Sequence, residues 1–109
     1  FAGGNLISDD ITEISLQNND LIAYVPKNLP RGLEVRNFGI IKVPMINHTI
    51  IDIVIDLNKV EKKRIPKKKY ISIMGIKKPY YRCRKIKNLY KIIYLITKYG
   101  KVEIDDLIF

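Results

Sequence analysis

Short runs of alternating apolar and polar side chains fill the first two thirds of the chain. Residues 11–16 and 21–25 are β-prone runs, and residues 17–20, Gln-Asn-Asn-Asp, tolerate left-handed backbone between them. This arrangement predicts a hairpin. A helix over residues 8–22 is the competing interpretation, because residues 8–10, Ser-Asp-Asp, would cap it and isoleucines recur at helical spacing.

Further strands are predicted by the same alternation. Residues 33–38 alternate and predict a half-buried strand, which continues over residues 40–43 after a bulge at Gly39. The clearest strand is residues 49–57, whose isoleucines and leucine share one face while aspartates lie on the other. Residues 70–74 predict another strand, which ends at a glycine. These strands indicate a small curled sheet or barrel.

The period changes to that of a helix near the end of the chain. Residues 77–79, Lys-Lys-Pro, are interpreted as a connector, and a long helix is predicted over about residues 84–99. Gly100 ends this helix, and the lysine before it suits the negative helix end. The apolar face of the helix is formed by Ile86, Leu89, Tyr90, Ile93, Ile96 and Thr97.

These elements predict an α+β fold. Five or six short strands within residues 11–74 form a β-rich sheet or barrel, and the long C-terminal helix follows. We expect residues 1–109 to form a single small domain, with a basic arm at 59–69 and a helix and tail at 80–109.

Composition narrows the function classes. Hydrophobic residues make up 47% of the 109, which excludes a disordered or collagenous chain. No apolar run is long enough to cross a membrane, so no membrane span is expected. One cysteine and one histidine exclude an internal disulfide framework and a multi-cysteine metal site. No metal and no cofactor is predicted.

The net charge of +9 is unevenly distributed. Residues 1–57 carry 4 basic and 7 acidic side chains, whereas residues 58–109 carry 16 basic and 4 acidic ones. Residues 59–91 alone hold 14 basic side chains and one acid, Glu61. Such asymmetry indicates a polyanion or an anionic surface as the partner.

Three features favour contact with nucleic acid: the basic arm, tyrosines interleaved with the cations, and a basic stripe on one face of the predicted helix. The stripe is formed by Arg84, Lys87, Lys91 and Lys98. Cations on a flexible arm neutralise phosphates and release counterions, and tyrosines stack on unpaired bases. We therefore predict a non-enzymatic nucleic-acid-binding module, a small subunit of a larger complex that binds DNA or RNA. The predicted binding residues are Lys62, Lys63, Arg64, Lys67, Lys68, Lys69, Tyr70, Tyr80, Tyr81, Arg82, Arg84, Lys87 and Lys91.

Two arrangements of residues resemble catalytic sites, but ordinary structural roles explain both of them better. Cys83 between two arginines would have a lowered pKa if exposed, with His48 as the only available histidine base. Asp52, Asp56 and Glu61 resemble the acid-and-lysine motif of metal-dependent nucleases, but the five-residue spacing of the last two does not fit it. No catalytic residue is therefore predicted.

Residues 89–107 resemble the opening of a winged-helix domain. In that family a first helix ends in a glycine-containing turn, and a short strand and an acid-capped second helix follow. Here Gly100 supplies the turn, residues 101–104 the strand candidate and residues 105–106, Asp-Asp, the cap. The printed sequence holds no recognition helix or wing, so the resemblance implies no groove recognition.

An alternative function is protein–protein assembly through the apolar helix. Ile92, Tyr94 and Leu95 lie off the predicted core face, and leftover apolar surface favours a protein partner or a homo-oligomer. Binding to a lipid surface ranks below both, because the chain has no tryptophan. The single cysteine and the lack of a signal peptide after Phe1 predict an intracellular location, cytoplasmic or nucleoid-associated.

Overall fold

The computed structural model describes residues 4–101, and the chain divides into two compact units, Phe1–Ile51 and Asp52–Phe109. We call these unit 1 and unit 2. Several small sheets and one C-terminal helix confirm the α+β class. The sheets within residues 4–101 are open and have two or three strands each, so the predicted barrel is wrong. The described residues contain eight strands and not the predicted five or six, because two of the predicted runs each divide into two strands and a further strand occupies residues 76–82.

Unit 1 begins with the predicted hairpin. Strand β1 (Glu13–Gln17) pairs antiparallel with β2 (Asp20–Tyr24), and the two residues between them, Asn18 and Asn19, have φ angles of 51° and 66°. Left-handed backbone at both loop positions is the geometry of a type I′ turn, whose twist matches that of paired strands. The hairpin is confirmed and the competing helix is wrong.

A second hairpin replaces the predicted bulged strand of residues 33–43. Strand β3 (Leu33–Val35) pairs antiparallel with β4 (Gly39–Ile41). Asn37 has a φ angle of 64°, and the Phe38 amide donates a hydrogen bond to the Val35 carbonyl at 3.0 Å. An asparagine in left-handed backbone therefore reverses the chain where the alternation alone predicted that it would continue.

The predicted strand of residues 49–57 divides between the two units. Strand β5 (His48–Ile50) pairs with β2 in unit 1, whereas β6 (Val54–Asp56) belongs to unit 2. In unit 1, β2 is the central strand and holds the best-buried side chains, Leu21 at 0% and Ala23 at 7% exposure. Alternation within the run shows extended backbone but does not show which sheet each part joins.

Unit 2 contains a mixed three-stranded sheet. Strand β7 (Lys69–Ile73) pairs antiparallel with β8 (Ile76–Arg82), and β8 also pairs in parallel with β6. The predicted strand at residues 70–74 is confirmed, but the predicted connector at 77–79 is part of β8. Pro79 is tolerated there because the parallel pairing with β6 starts only at Tyr80.

The helix of unit 2, α1 (Leu89–Tyr99), starts five residues later than predicted. Lys85 and Asn88 have φ angles of 69° and 55°, so residues 84–88 form turns and not helix. The predicted end is confirmed, because the Gly100 amide donates a hydrogen bond to the Ile96 carbonyl at 3.0 Å. The strand candidate after Lys101 and the acidic cap at residues 105–106 lie outside the described residues.

Candidate functional site

Unit 2 contains a cavity of about 420 Å³ that we call the basic cavity. Its walls come from β6, β8, the basic arm, the turns between β8 and α1, and α1 itself. These elements are separated along the chain, so only the tertiary structure brings their apolar and cationic side chains to one cavity. The lining residues are Ile55, Val60, Glu61, Lys63, Arg64, Pro66, Lys67, Lys69, Tyr80, Tyr81, Arg82, Cys83, Arg84, Lys85, Ile86, Leu89, Ile92, Ile93, Ile96 and Lys101.

The basic cavity includes part of the predicted nucleic-acid-binding set. Eight predicted residues line it: Lys63, Arg64, Lys67, Lys69, Tyr80, Tyr81, Arg82 and Arg84. Five others do not line it: Lys62, Lys68, Tyr70, Lys87 and Lys91. The sequence interpretation missed Lys85 and Lys101, whose place is set by the turn before α1 and by the end of that helix.

The predicted basic stripe on the helix is not a single helical face. Arg84 and Lys87 lie in the turns before α1, whereas Lys91 and Lys98 lie on it. The Arg84 amide donates a hydrogen bond to the Lys59 carbonyl at 3.0 Å, which joins the basic arm to this turn. The stripe prediction assumed a helix period that begins only at Leu89, so the structure places these cations differently.

Charge at the basic cavity is almost entirely positive. The one acid in its lining, Glu61, pairs with Lys69 at 2.6 Å, and this hydrogen bond is the largest cause that lowers the Glu61 pKa. Lys63, Arg64 and Arg84 also line the cavity and form no ion pair with another described residue, so they present their charge to a ligand that enters it.

Tyr80 and Asp56 form a second polar contact beside the cavity. The Tyr80 hydroxyl donates a hydrogen bond to an Asp56 carboxylate oxygen, and the Asn58 amide donates to the other oxygen at 2.8 Å. The Tyr80 hydroxyl is the main cause that lowers the Asp56 pKa, and the same contact raises the Tyr80 pKa. Asp56 is therefore engaged within the sheet.

Cys83 lies at the end of β8 and is buried at 8% exposure. Its amide donates a hydrogen bond to the Asp56 carbonyl at 2.8 Å. Burial is the largest cause that raises the Cys83 pKa, and the charge of Asp56 adds to it. A raised pKa leaves the group as a thiol at neutral pH, the opposite of what a nucleophilic cysteine requires.

The tyrosines of the predicted set have different surroundings. Tyr70 is 53% exposed, with the Lys68 ammonium 5.4 Å from its ring centre. Tyr81 is half-buried and has the Lys101 ammonium 5.2 Å from its ring centre. An exposed ring beside a cation has the chemistry of a base-stacking platform, and Tyr70 has this exposure.

Unit 1 contains a smaller cavity of about 160 Å³, which we call the acidic cavity. The Asp9 carboxylate accepts a hydrogen bond from the Glu34 amide at 2.9 Å, which joins the lead-in segment to β3. Asp10 has no hydrogen-bond or ion-pair partner within the described residues. The lining residues are Ser8, Asp9, Asp10, Leu29, Pro30, Gly32, Glu34 and Ile40.

The sequence pattern does not predict the acidic cavity. Ser8, Asp9 and Asp10 are predicted only as a possible helix cap, and no local pattern links them to Glu34, which lies 25 residues after Asp9. The available signal was the adjacent pair of aspartates in a segment without regular structure. Within residues 4–101, no group of three or more histidines, cysteines or acids is arranged to hold a metal ion.

Comparison with known proteins extends this picture. No family model matches the chain, and no curated protein matches it. Its α+β fold is similar to a solved structure, the Hpr(Ser) kinase/phosphatase from Coxiella burnetii. The TM-score is 0.70 at 25% sequence identity, and the match covers 89% of this chain and 68% of that chain.

The helix content also bears on the membrane prediction. No helix in the described part of the chain has the length and apolar character needed to cross a membrane.

Proposed function

We propose that this chain forms part of a protein kinase/phosphatase similar in kind to the Hpr(Ser) kinase/phosphatase of Coxiella burnetii. The observation that carries the proposal is the structural likeness, with a TM-score of 0.70 over 89% of the chain. The match includes residues of both units, since neither unit alone makes up 89% of the chain. Under this proposal the chain takes part in the transfer of a phosphoryl group to or from a serine of Hpr.

The acidic cavity supports this proposal because phosphoryl transfer to a hydroxyl uses a carboxylate that accepts the hydroxyl proton. Asp10 has the required character, since its carboxylate lines the cavity and is exposed without a partner among the described residues. Asp9 is held by the Glu34 amide and fixes the segment that carries Asp10. We therefore assign Asp10 the role of base and Asp9 a positioning role.

The printed sequence limits what this chain is proposed to supply. Its 109 residues contain no Gly-x-x-x-x-Gly-Lys-Ser/Thr loop, whose backbone amides would cradle the phosphates of a nucleotide. The proposal therefore assigns to this chain the carboxylates and the surrounding fold, and it assigns no nucleotide-phosphate loop. This proposal differs from the sequence prediction of a non-enzymatic module, which stays a prediction.

Phosphoryl transfer with Hpr tests the proposal directly. The protein is incubated with serine-phosphorylated Hpr, and separately with Hpr and MgATP, while released and transferred phosphate are measured. We expect transfer in at least one direction, and we expect Asp10→Asn to slow it at least about a hundredfold because a general base is lost. Asp20→Asn is the matched control, because Asp20 is an exposed acid of unit 1 outside the acidic cavity.

The outcomes of this assay separate the possibilities. Absence of transfer together with absence of Hpr binding, in a protein whose amide spectrum shows it folded, overturns the proposal. Binding of Hpr without transfer overturns the catalytic part and leaves a recognition module. An equal loss of rate in both aspartate variants contradicts the role of Asp10.

We propose nucleic-acid binding as a second candidate function because a specific surface favours it. The basic arm carries seven cations, four of which line the basic cavity, and the arm leads directly into Tyr70, which is 53% exposed. Phosphates of a single strand would contact Lys62, Lys63 and Arg64, and an unpaired base would stack on the Tyr70 ring. This function requires no catalytic group.

Salt dependence tests the second candidate. If about six phosphates are neutralised, the logarithm of the binding constant falls with the logarithm of salt concentration with a slope of about −4 to −5. A fluorescent oligonucleotide measured at two salt concentrations gives this slope. Binding that does not change with salt, or no binding at low salt, overturns the candidate.

Exposed apolar residues of α1 favour assembly with a protein partner, the alternative predicted from the sequence. Ile92, Tyr94 and Leu95 are between 41% and 51% exposed, and of these three only Ile92 also lines the basic cavity. Light scattering after size exclusion tests self-association, and Leu95→Ala is expected to weaken any oligomer. A strictly monomeric protein that no partner captures contradicts this alternative.

A further inference from the structure

The basic cavity has both an apolar wall and a cationic rim. An inorganic anion would use only the rim, and a hydrocarbon would use only the wall. We propose that it binds a small amphiphilic anion, an alkyl phosphate in its simplest form, with the alkyl chain against the apolar wall and the phosphate at the cationic rim. This inference goes beyond phosphoryl transfer, which the proposal above places in unit 1. The two proposals are therefore tested independently, and failure of one does not overturn the other.

The apolar wall supplies the first part of the argument. Leu89, Ile93 and Ile96 recur at helical spacing, line the cavity and are only half-buried. No residue of α1 is fully buried, although its apolar face borders the sheet residue Ile55 across the cavity. Apolar surface that remains accessible within a concave site gains free energy when an apolar ligand covers it.

The cationic rim supplies the second part. Lys63, Arg64 and Arg84 line the cavity, and none of them forms an ion pair with another described residue. The one acid in the lining, Glu61, is already paired with Lys69. The guanidinium group of an arginine binds a phosphate through two parallel hydrogen bonds, so a phosphate headgroup is the natural complement of this rim.

The same lining disfavours a nucleotide base in the cavity. A base presents donors and acceptors along its edges, and leaving them unpaired in an apolar site costs free energy. Most of the exposed lining surface is apolar, and Ile55, Cys83 and the apolar face of α1 contribute to it, so it offers few groups to pair with such edges. An alkyl chain has no polar edge, so it fits these walls without this cost.

Cys83 provides a direct measure of occupancy. It is the only cysteine of the 109 residues, and it lines the cavity. Decyl phosphate, kept below its critical micelle concentration, is expected to slow the reaction of this thiol with N-ethylmaleimide at pH 8 at least about fivefold. Inorganic phosphate at the same concentration is expected to leave the rate unchanged, because it lacks the apolar part.

Variants of the rim test the headgroup contact. Arg84→Ala is expected to raise the half-protecting concentration of decyl phosphate about tenfold, since a charge-assisted hydrogen bond is lost. Lys87→Ala is the matched control, because this exposed cation lies in the same turn region but does not line the cavity. Arg64→Ala repeats the test from the basic arm in case the first variant disturbs the turn.

Four results overturn the proposal. The first is that decyl phosphate does not protect the Cys83 thiol, and the second is that inorganic phosphate protects it equally well. Protection that requires phosphatidate vesicles, with none from the monomeric amphiphile, assigns the cavity to a lipid surface. Protection by a single-stranded oligonucleotide alone assigns it to nucleic acid.

Discussion

Both units of the chain contain a hairpin with the same kind of turn, but their net charges have opposite signs. Residues 1–51 carry 4 basic and 5 acidic side chains, whereas residues 52–109 carry 16 basic and 6 acidic ones. Each unit has a two-residue hairpin loop with left-handed backbone, Asn18-Asn19 in unit 1 and Met74-Gly75 in unit 2. The two units thus share a turn geometry and differ in the charge of the cavity that each contains.

The units also differ in how they bury apolar side chains. Unit 1 concentrates burial on its central strand, where Leu21 is 0% exposed. In unit 2 the best-buried described side chain is Cys83, and the apolar face of α1 lines a cavity. The burial of apolar side chains in unit 1 therefore depends mainly on one strand, whereas the apolar residues of unit 2 leave space that a ligand can fill.

The largest expected effect comes from the core of unit 1. Leu21→Ala is expected to lower the free energy of unfolding by about 2–5 kcal/mol, because it removes a fully buried side chain and leaves a cavity. Urea titration measures this change. Leu16→Ala, on a side chain that is 41% exposed in the same hairpin, is expected to cost clearly less. Equal losses would contradict the idea that burial in unit 1 is concentrated on β2.

The second-largest expected effect on stability comes from Gly32 in unit 1, which lies close to the backbone of β4. A Cβ atom at Gly32 would lie 2.6 Å from both the Ile41 carbonyl oxygen and an Ile40 side-chain carbon. Gly32→Ala is expected to cost about 1–3 kcal/mol, since the backbone of β4 must shift to relieve this overlap. Gly4→Ala is the control, with nothing within 4 Å of its added carbon. Thermal unfolding of both variants measures the difference, and equal midpoints would contradict the close approach.

The two hairpin loops allow a smaller test. Met74 adopts a φ angle of 50° in the position that asparagine takes in unit 1. Met74→Asn is expected to raise the free energy of unfolding by about 0.5–1 kcal/mol, because asparagine tolerates left-handed backbone better than methionine does. The reciprocal change Asn18→Met is expected to lower it by a similar amount. Urea titration that gives the same sign for both exchanges would show that the loops are not equivalent.

The smallest effect concerns the titration of Asp56. The Tyr80 hydroxyl lowers the Asp56 pKa, so this contact adds stability above the ordinary aspartate pKa and loses it as the pH falls through the lowered value. Tyr80→Phe is expected to move the Asp56 pKa back towards its ordinary value and to flatten the acid limb of the stability curve. Carbon-detected NMR titration measures the pKa, with Tyr90→Phe as the control on exposed α1. An unchanged Asp56 pKa in Tyr80→Phe contradicts the assigned cause.

The sequence predicted the local elements whose signals are strong. The asparagines at residues 18–19 predicted the first hairpin, and Gly100 predicted the end of the helix. It failed where a left-handed residue interrupts a continuing pattern, as Asn37 does between β3 and β4, and as Asn88 does before α1. In both places the apolar period continues through the turn, so periodicity alone predicts one longer element.

Local sequence patterns are also insufficient to predict the two cavities. Sequence by itself determined the charge asymmetry, the turn residues and the α+β class, because each depends on local composition or spacing. Tertiary structure alone decided that Asp9 lies against Glu34, and that the cations of the basic arm line one cavity with the apolar face of α1. The physical reason is that these contacts join residues far apart in the chain, such as Asp9 with Glu34 and Lys59 with Arg84, and local composition and spacing do not specify which distant residues meet.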